Sequence, residues 1–381
     1  MIDRRRLLAC AAAGLAVPRV AGAAPREAEP GSLHGLAADK GILFGTALSF
    51  GQATAHVGTP EEAYRSIALA ECGALVCENE TKWAALRPDA ATFDFVRADA
   101  IFALGRDHGM TMRGHTLLWH HPEWFPVWLT DHDFGARPAE EGARLLQTHI
   151  RRVCEHYPRV VSWDVINEAI DAGTGERRET SLSKAIGPDV LDIAFHTARE
   201  AAPQAQLVYN DYMSWEAGHE NHRAGVLRLL EGFKARGVPI DALGVQSHIG
   251  SGNSDDSVGF DTAQETEWRR FLDEVTGMGL KLAVTEFDVH DKNLPADPAI
   301  RDRQVGELGR RYLDLMLEYP QTSTVMAWGM ADRYSWLQGR WPRADGLPKR
   351  PNPYDAELRA KPLREAMAAA FTAAKPRPPL G

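Results

Sequence analysis

The sequence predicts a (β/α)8 barrel. Three observations carry that prediction: eight short apolar runs recur along the chain, helix-like stretches separate most of them, and polar or aromatic residues gather where the runs end. Continuous apolar runs alternating with helical stretches mark a parallel sheet covered on both faces. Eight such units in a chain of 381 residues fit a closed barrel better than a doubly wound sheet.

In chain order the runs are I-L-F-G-T-A-L from 42, A-L-V-C-E-N from 74, M-T-M-R-G-H-T-L-L-W from 110 and V-S-W-D-V-I-N-E from 161. Q-L-V-Y-N-D from 206, A-L-G-V-Q-S-H from 242, K-L-A-V-T-E from 281 and T-V-M-A-W-G from 324 complete the set. Helical stretches are expected over 139–157, 189–201, 223–236, 265–278 and 302–319. Gly109, Pro158, Pro203, Gly237 and Gly279 punctuate the ends of elements, as residues that stop helices or open turns do. No linker interrupts the count, so residues 24–373 read as one barrel domain, with 374–381 (K-P-R-P-P-L-G from 375) as a loose tail.

Residues 1–23 stand apart. M-I-D-R-R-R, a short run of small apolar residues and A-G-A at 21–23 form an export leader rather than a membrane anchor. The three arginines followed by Leu7 and Leu8 resemble a bacterial twin-arginine leader. L-L-A-C ending at Cys10 lies too early in the apolar run for lipidation. Cleavage near Ala23 removes four Arg and one Asp, moving the net charge from -9 to -12. An exported, periplasmic or extracellular bacterial protein is expected, a monomer with no membrane part in its mature form. The acidic balance argues against nucleic-acid binding. Without Cys10, three cysteines remain (Cys72, Cys77 and Cys154), which make neither a disulfide framework nor a metal knuckle; buried thiols are the commoner state of so few.

The run ends carry Glu78 and Asn79, His115 and Trp119, Asn167 and Glu168, Asn210 and Asp211, Gln246 and His248, Glu286, and Trp328. One polar residue ending a strand is ordinarily a cap or a solvated loop group. Seven runs of eight ending this way point instead to the mouth of a barrel, where active sites of this architecture are built. Glu168 and Glu286 end the fourth and seventh runs, on roughly opposite sides of an eight-strand ring. Two carboxyl groups about 5 Å apart suit double-displacement glycoside hydrolysis, one protonating the leaving oxygen and the other attacking the anomeric carbon. For either acid alone a structural ion pair is an equal explanation; the surrounding indoles and amides favour chemistry.

The segments E-N-E-T-K-W (78–83), R-G-H-T-L-L-W-H (113–120), W-D-V-I-N-E-A (163–169), Y-N-D-Y (209–212), G-V-Q-S-H (244–248), V-T-E-F-D-V (284–289) and the Trp328-to-Trp336 stretch resemble glycoside hydrolase family 10, in that order and across the chain from Phe44 to about Phe371. The resemblance implies an endo-1,4-β-xylanase that retains anomeric configuration, needs no cofactor or metal, and acts on xylan and xylo-oligosaccharides. It implies Glu168 as acid/base and Glu286 as nucleophile. Asn167 would bond the 2-hydroxyl of the sugar under attack, a contact that tightens in the transition state. His248 would hold Glu286, with Asp288 orienting the imidazole. Glu78, Asn79 and Lys82 would grip the non-reducing side, and His115 and Trp119 would wall the central sugar. Gln246 would bond the acid/base or a sugar hydroxyl, and Trp328 and Trp336 would close over the ring and exclude a hydroxymethyl arm. Trp163 and Glu80 read as structural.

The chain departs from the family at Thr81, where Met is usual, at Phe287 in place of Leu, and at H-H-P-E-W-F from 120, a longer loop carrying Glu123 and Trp124 that implies altered product-side subsites. A metal-dependent barrel hydrolase would gather H-x-H at the first strand end, and G-T-A-L-S-F has none. A β-glucanase on a related barrel would share the two acids, and a non-catalytic carbohydrate-binding barrel would have no need to keep both. Neither a G-x-S-x-G elbow nor a phosphate loop is present.

Overall fold

A computed structural model of the chain describes residues 29–251 and 262–380; the expected export leader, Cys10 included, lies outside the described residues. The strands are β1 (Leu43–Leu48), β2 (Ala74–Cys77), β3 (Thr111–Trp119), β4 (Ser162–Asn167), β5 (Gln206–Asp211), β6 (Ala242–Val245), β7 (His248–Ser251), β8 (Lys281–Asp291) and β9 (Thr322–Ala327). Each neighbour pairs in parallel, and β1 pairs with both β2 and β9, while β6 pairs with β8. The ring therefore closes through eight staves. The ninth strand, β7, continues the sixth stave past Gln246 and Ser247 and pairs only with the far half of β8. Ser247 has φ +67, and this turn separates β6 from β7. The expected (β/α)8 barrel is the fold observed.

Helices cover the outside. The five expected stretches are present as Pro138–His156, Val190–Ala201, Glu220–Arg236, Thr262–Gly277 and Pro298–Glu318. The last begins earlier than its apolar spacing suggests because Pro298 occupies the first turn and the Asp297 carboxylate caps the amides of Ala299 and Ile300, the arrangement that satisfies exposed helix N–H groups. Glu220–Arg236 stops at Gly237, which takes φ +72, a left-handed turn most residues resist.

The main core lies between the sheet and these helices and includes Leu75, Leu117, Trp163, Phe195, Phe233 and Leu313, all fully buried. A smaller cluster of Ala47, Ala74, Val76 and Met326 packs beneath Trp328. Near it, Arg113 and Asp164 are buried and joined by paired hydrogen bonds. Glu80, expected to be structural, is buried and accepts from the amides of Phe50 and Asn79. Cys72, Cys77 and Cys154 are buried and none of the three is in a disulfide.

The segment after 373 is not loose at Arg377. Its amide donates to the Lys40 carbonyl at 2.9 Å, and its guanidinium donates to the carbonyls of Leu317, Tyr319 and Thr322 at 2.8 to 3.1 Å. Composition alone read this stretch as a tail; one buried cation fastens it beside the last stave.

Gly114 on β3 faces the six-membered ring of Trp163 so closely that a Cβ would overlap it. Replacing Gly114 with Ala is expected to destabilise the protein by roughly 1–3 kcal/mol, the usual cost of overpacking, read as a lower urea midpoint. An unchanged midpoint would show that Trp163 can move aside.

Candidate active site

The C-terminal ends of the staves surround a cavity of about 450 Å3. Parallel register is the reason they meet: every stave runs the same way, so residues following each one arrive at one rim.

Glu168 follows β4. Its backbone sits at φ +54, a region that costs a non-glycine residue roughly 1–3 kcal/mol and that persists only where the surroundings enforce it. Here its amide donates to the Asn210 carbonyl at 2.9 Å and the next amide, of Ala169, to the Tyr209 hydroxyl at 3.2 Å. The carboxylate accepts from the Trp119 indole at 2.9 Å, the Gln246 amide at 2.8 Å and the Asn167 amide at 3.3 Å.

Glu286 lies on β8 with different neighbours. It accepts from the Asn210 amide at 2.8 Å, and His248 Nε2 lies 3.3 Å from its other oxygen. His248 Nδ1 is 2.9 Å from Asp288, whose second oxygen accepts from the Trp336 indole at 2.8 Å. His115 Nδ1 is 2.9 Å from Asp164, which Arg113 also pairs, and 3.9 Å from Glu286. Asn210 further donates to Asn167 Oδ1 at 2.9 Å while accepting from the Thr285 hydroxyl at 2.6 Å. Asn167, Asn210 and Gln246 thus tie the two acids into one bonded network.

These surroundings set the two acids apart. Burial raises the Glu168 carboxyl above its ordinary range and the nearby charge of Asp211 adds to the rise; the bonds from Gln246 and Trp119 pull the other way without prevailing. Burial alone would raise Glu286 too, but His115, the hydrogen bond and charge of His248, and Lys82 outweigh it and hold this carboxylate well below the usual range. His248 shows the reverse balance: burial favours its neutral form, yet Asp288 and Glu286 raise it to about 10. Lys82 is lowered by burial, partly offset by Glu286, Glu78 and Glu168. The surroundings push the two acids in opposite directions, Glu168 toward its protonated form and Glu286 toward its ionised form, the kind of separation that paired-carboxyl catalysis uses.

Glu78, Asn79, Lys82, His115, Trp119, Asn167, Gln246, His248, Trp328 and Trp336 line the same cavity as Glu168 and Glu286. Asp288 stands behind His248. Lys82 donates to Asn79 at 2.8 Å, and its ammonium lies 4.7 Å from the Trp119 ring centroid. Trp163 is buried in the core. The loop after β3 brings Glu123 and Trp124 to this cavity, and Trp124 also lines a neighbouring groove with Asn79 and Lys82. His120 is buried against the Arg178 carbonyl at 3.1 Å, whereas His121 reaches the cavity. Tyr212, His219, Arg340 and Trp341 also line it. Tyr212 closes the motif Y-N-D-Y and could have been singled out; Arg340 and Trp341 lie in a loop with no recurring pattern. Among the described residues no group of three or more His, Cys, Asp or Glu side chains could hold a metal ion, and no helix is long and apolar enough to cross a membrane.

Comparison with known proteins agrees with this geometry. The family model described as glycosyl hydrolase family 10 matches residues 32–370. Endo-1,4-beta-xylanase B of Thermotoga neapolitana is 30% identical over 281 residues, covering 73% of this chain and 75% of the relative. Exoglucanase XynX of Acetivibrio thermocellus is 31% identical over 306 residues, 77% of this chain but only 26% of that longer protein. Among solved structures, xylanase 10B of Thermotoga petrophila in complex with xylobiose superposes with a TM-score of 0.78 at 30% identity, over 89% of this chain and 97% of that one. With the family matched from the first described helix to the last and the barrel shared, the chain belongs to glycosyl hydrolase family 10 and is a glycoside hydrolase.

Proposed function

We propose that this protein is an endo-1,4-β-xylanase that cleaves xylan and xylo-oligosaccharides with retention, Glu286 acting as nucleophile and Glu168 as acid/base. The observation that carries the reading is a pair of buried carboxyls in one cleft whose neighbours push them in opposite directions, Glu168 upward and Glu286 downward. The Glu286 carboxylate attacks the anomeric carbon while the Glu168 proton passes to the departing glycosidic oxygen as its bond to that carbon breaks. Glu168, now ionised, then takes a proton from water, whose oxygen attacks the same carbon and releases Glu286. On this reading Asn167 bonds the 2-hydroxyl, and Glu78, Asn79 and Lys82, which line the same cavity, hold the neighbouring sugar. The flat faces of Trp328 and Trp336 suit the C–H surface of a pyranose. The leader-like residues 1–23 support action outside the cytoplasm.

A second reading, cleavage of β-glucan, is favoured by the relative named as an exoglucanase. Time courses on linear xylan and carboxymethyl cellulose separate the two. A ladder of xylo-oligosaccharides with cellulose untouched is expected; comparable cutting of both would mean that the indoles do not exclude the hydroxymethyl arm.

Glu286→Ala is expected to lower turnover by roughly 10⁴-fold or more with the fold intact by circular dichroism. Residual hydrolysis near the parent rate would remove Glu286 from the nucleophile's role. Glu168→Ala should retain activity on aryl xylosides with very acidic leaving groups, which need little protonation; equal loss on aryl xylosides and xylan would contradict its part as acid.

The pH profile follows from the same two shifts. Glu286 must be ionised, and its depressed pKa places the acid limb of kcat/KM below the ordinary carboxylate range. Glu168 must be protonated, and its raised pKa carries the alkaline limb above that range. Replacing His248 by Asn removes a group that favours ionised Glu286, so the acid limb is expected to move to higher pH. A limb that stays in place or moves lower would assign the depression elsewhere.

A further inference from the structure

Five side chains, from the end of β3 and from two loops, make a continuous bridge at the rim of the cleft. Trp124, on the turn Pro122–Trp124 after β3, stacks on Trp119 with centroids 5.4 Å apart and planes 19° from parallel. Arg340, in the loop after β9, has its guanidinium 5.2 Å from the Trp124 centroid and 5.2 Å from that of Trp341. Trp341 in turn meets Trp336 at 5.6 Å and 74°. Both ends are anchored in the site, Trp119 by its bond to Glu168 and Trp336 by its bond to Asp288.

The ring order gives this bridge its consequence. β3 and β9 flank β2 and β1, so a contact between their loops spans the quarter of the mouth where Glu78 and Asn79 follow β2. Trp124 and Trp341 are 38% and 42% exposed, and Trp341 holds φ +49, a conformation that a bulky residue rarely adopts. Arg340 has no acidic partner among the described residues, and its two indole contacts join the loops. The cavity, about 450 Å3, is the size of a site for a ligand of a few rings.

We propose that Trp124, Arg340 and Trp341 form a clasp that determines substrate length. It closes the cleft on the side of Glu78 and Lys82, so that xylo-oligosaccharides and chain ends enter directly, while the interior of a long xylan chain occupies the site only when the clasp parts. A polymer cut internally must continue past the site in both directions, and a closed side admits only as many sugars as its compartment holds. The clasp depends on a planar guanidinium meeting two indoles, a geometry that lysine does not reproduce. This proposal rests on the xylanase reading above and narrows its substrate.

The test compares the parent with W124A, R340A and R340K on linear polymeric xylan and on xylotetraose. Loss of the clasp is expected to raise kcat/KM on the polymer by about tenfold, the scale on which single contacts discriminate substrates, and to lengthen the earliest products. R340K should behave as R340A. A merely structural role for these side chains would instead lower both substrates together. Polymer kcat/KM unchanged or reduced in all three variants, with both substrates still cut, overturns the clasp and leaves the xylanase reading standing. A parent that cuts neither substrate overturns both.

Discussion

Two carboxyl groups share one buried mouth, and the groups around them push the pair in opposite directions. Burial pushes both acids toward neutrality, and only at Glu286 do nearby histidines and a lysine outweigh it. Glu286 receives His248, His115 and Lys82, while Glu168 receives neutral indole and amide donors and the nearby charge of Asp211. Donors of the neutral kind fix a carboxyl's position with less bias toward its charged form than a cation exerts. The amides of Asn167, Asn210 and Gln246 then hold the two acids in one frame without supplying charge to either.

The barrel supplies this frame through its register. Parallel staves bring groups far apart in sequence to one rim, and the staves beneath are themselves cross-braced. The buried pair Arg113 and Asp164 spans β3 and β4 and also holds His115, so the ion pair has a fixed third partner. Pairs of this kind are a weak source of net stability, because desolvation offsets their attraction; their contribution here is orientation. The loop after β9 is braced similarly, with the Lys361 ammonium 3.0 Å from both oxygens of Asp332 and Asp332 accepting from the Asn352 amide at 3.0 Å. That loop carries Trp336 and, further on, Arg340 and Trp341.

How much of this was legible in the sequence follows from the range of each interaction. The barrel was readable because alternation of apolar runs and helical stretches is a local signal repeated eight times. The acids, amides and indoles at the run ends were readable because strand direction converts a position in sequence into a position on the rim. Resemblance to family 10 added roles that spacing alone leaves open, such as which acid attacks. The extent of β8 to Asp291 was missed because pairing with β7 prolongs it beyond its apolar run. Arg377 was read as part of a loose tail because its partners are backbone carbonyls, which leave no mark in residue types. The Trp124–Arg340 contact joins loops distant in sequence, and neither loop has a period to announce it.

Asp288 meets two groups at once, His248 beside Glu286 and the Trp336 indole at the cavity. On the proposed function, a single carboxylate thereby links the indole that meets the sugar to the charge that drives its cleavage. Variation at Trp336, whether in nature or by directed evolution toward another polysaccharide, will perturb reactivity as it changes choice, and improvements in one will need compensation in the other. The two properties are pleiotropic at this residue, so paths of adaptation through Trp336 are narrower than the openness of the barrel's loops would suggest.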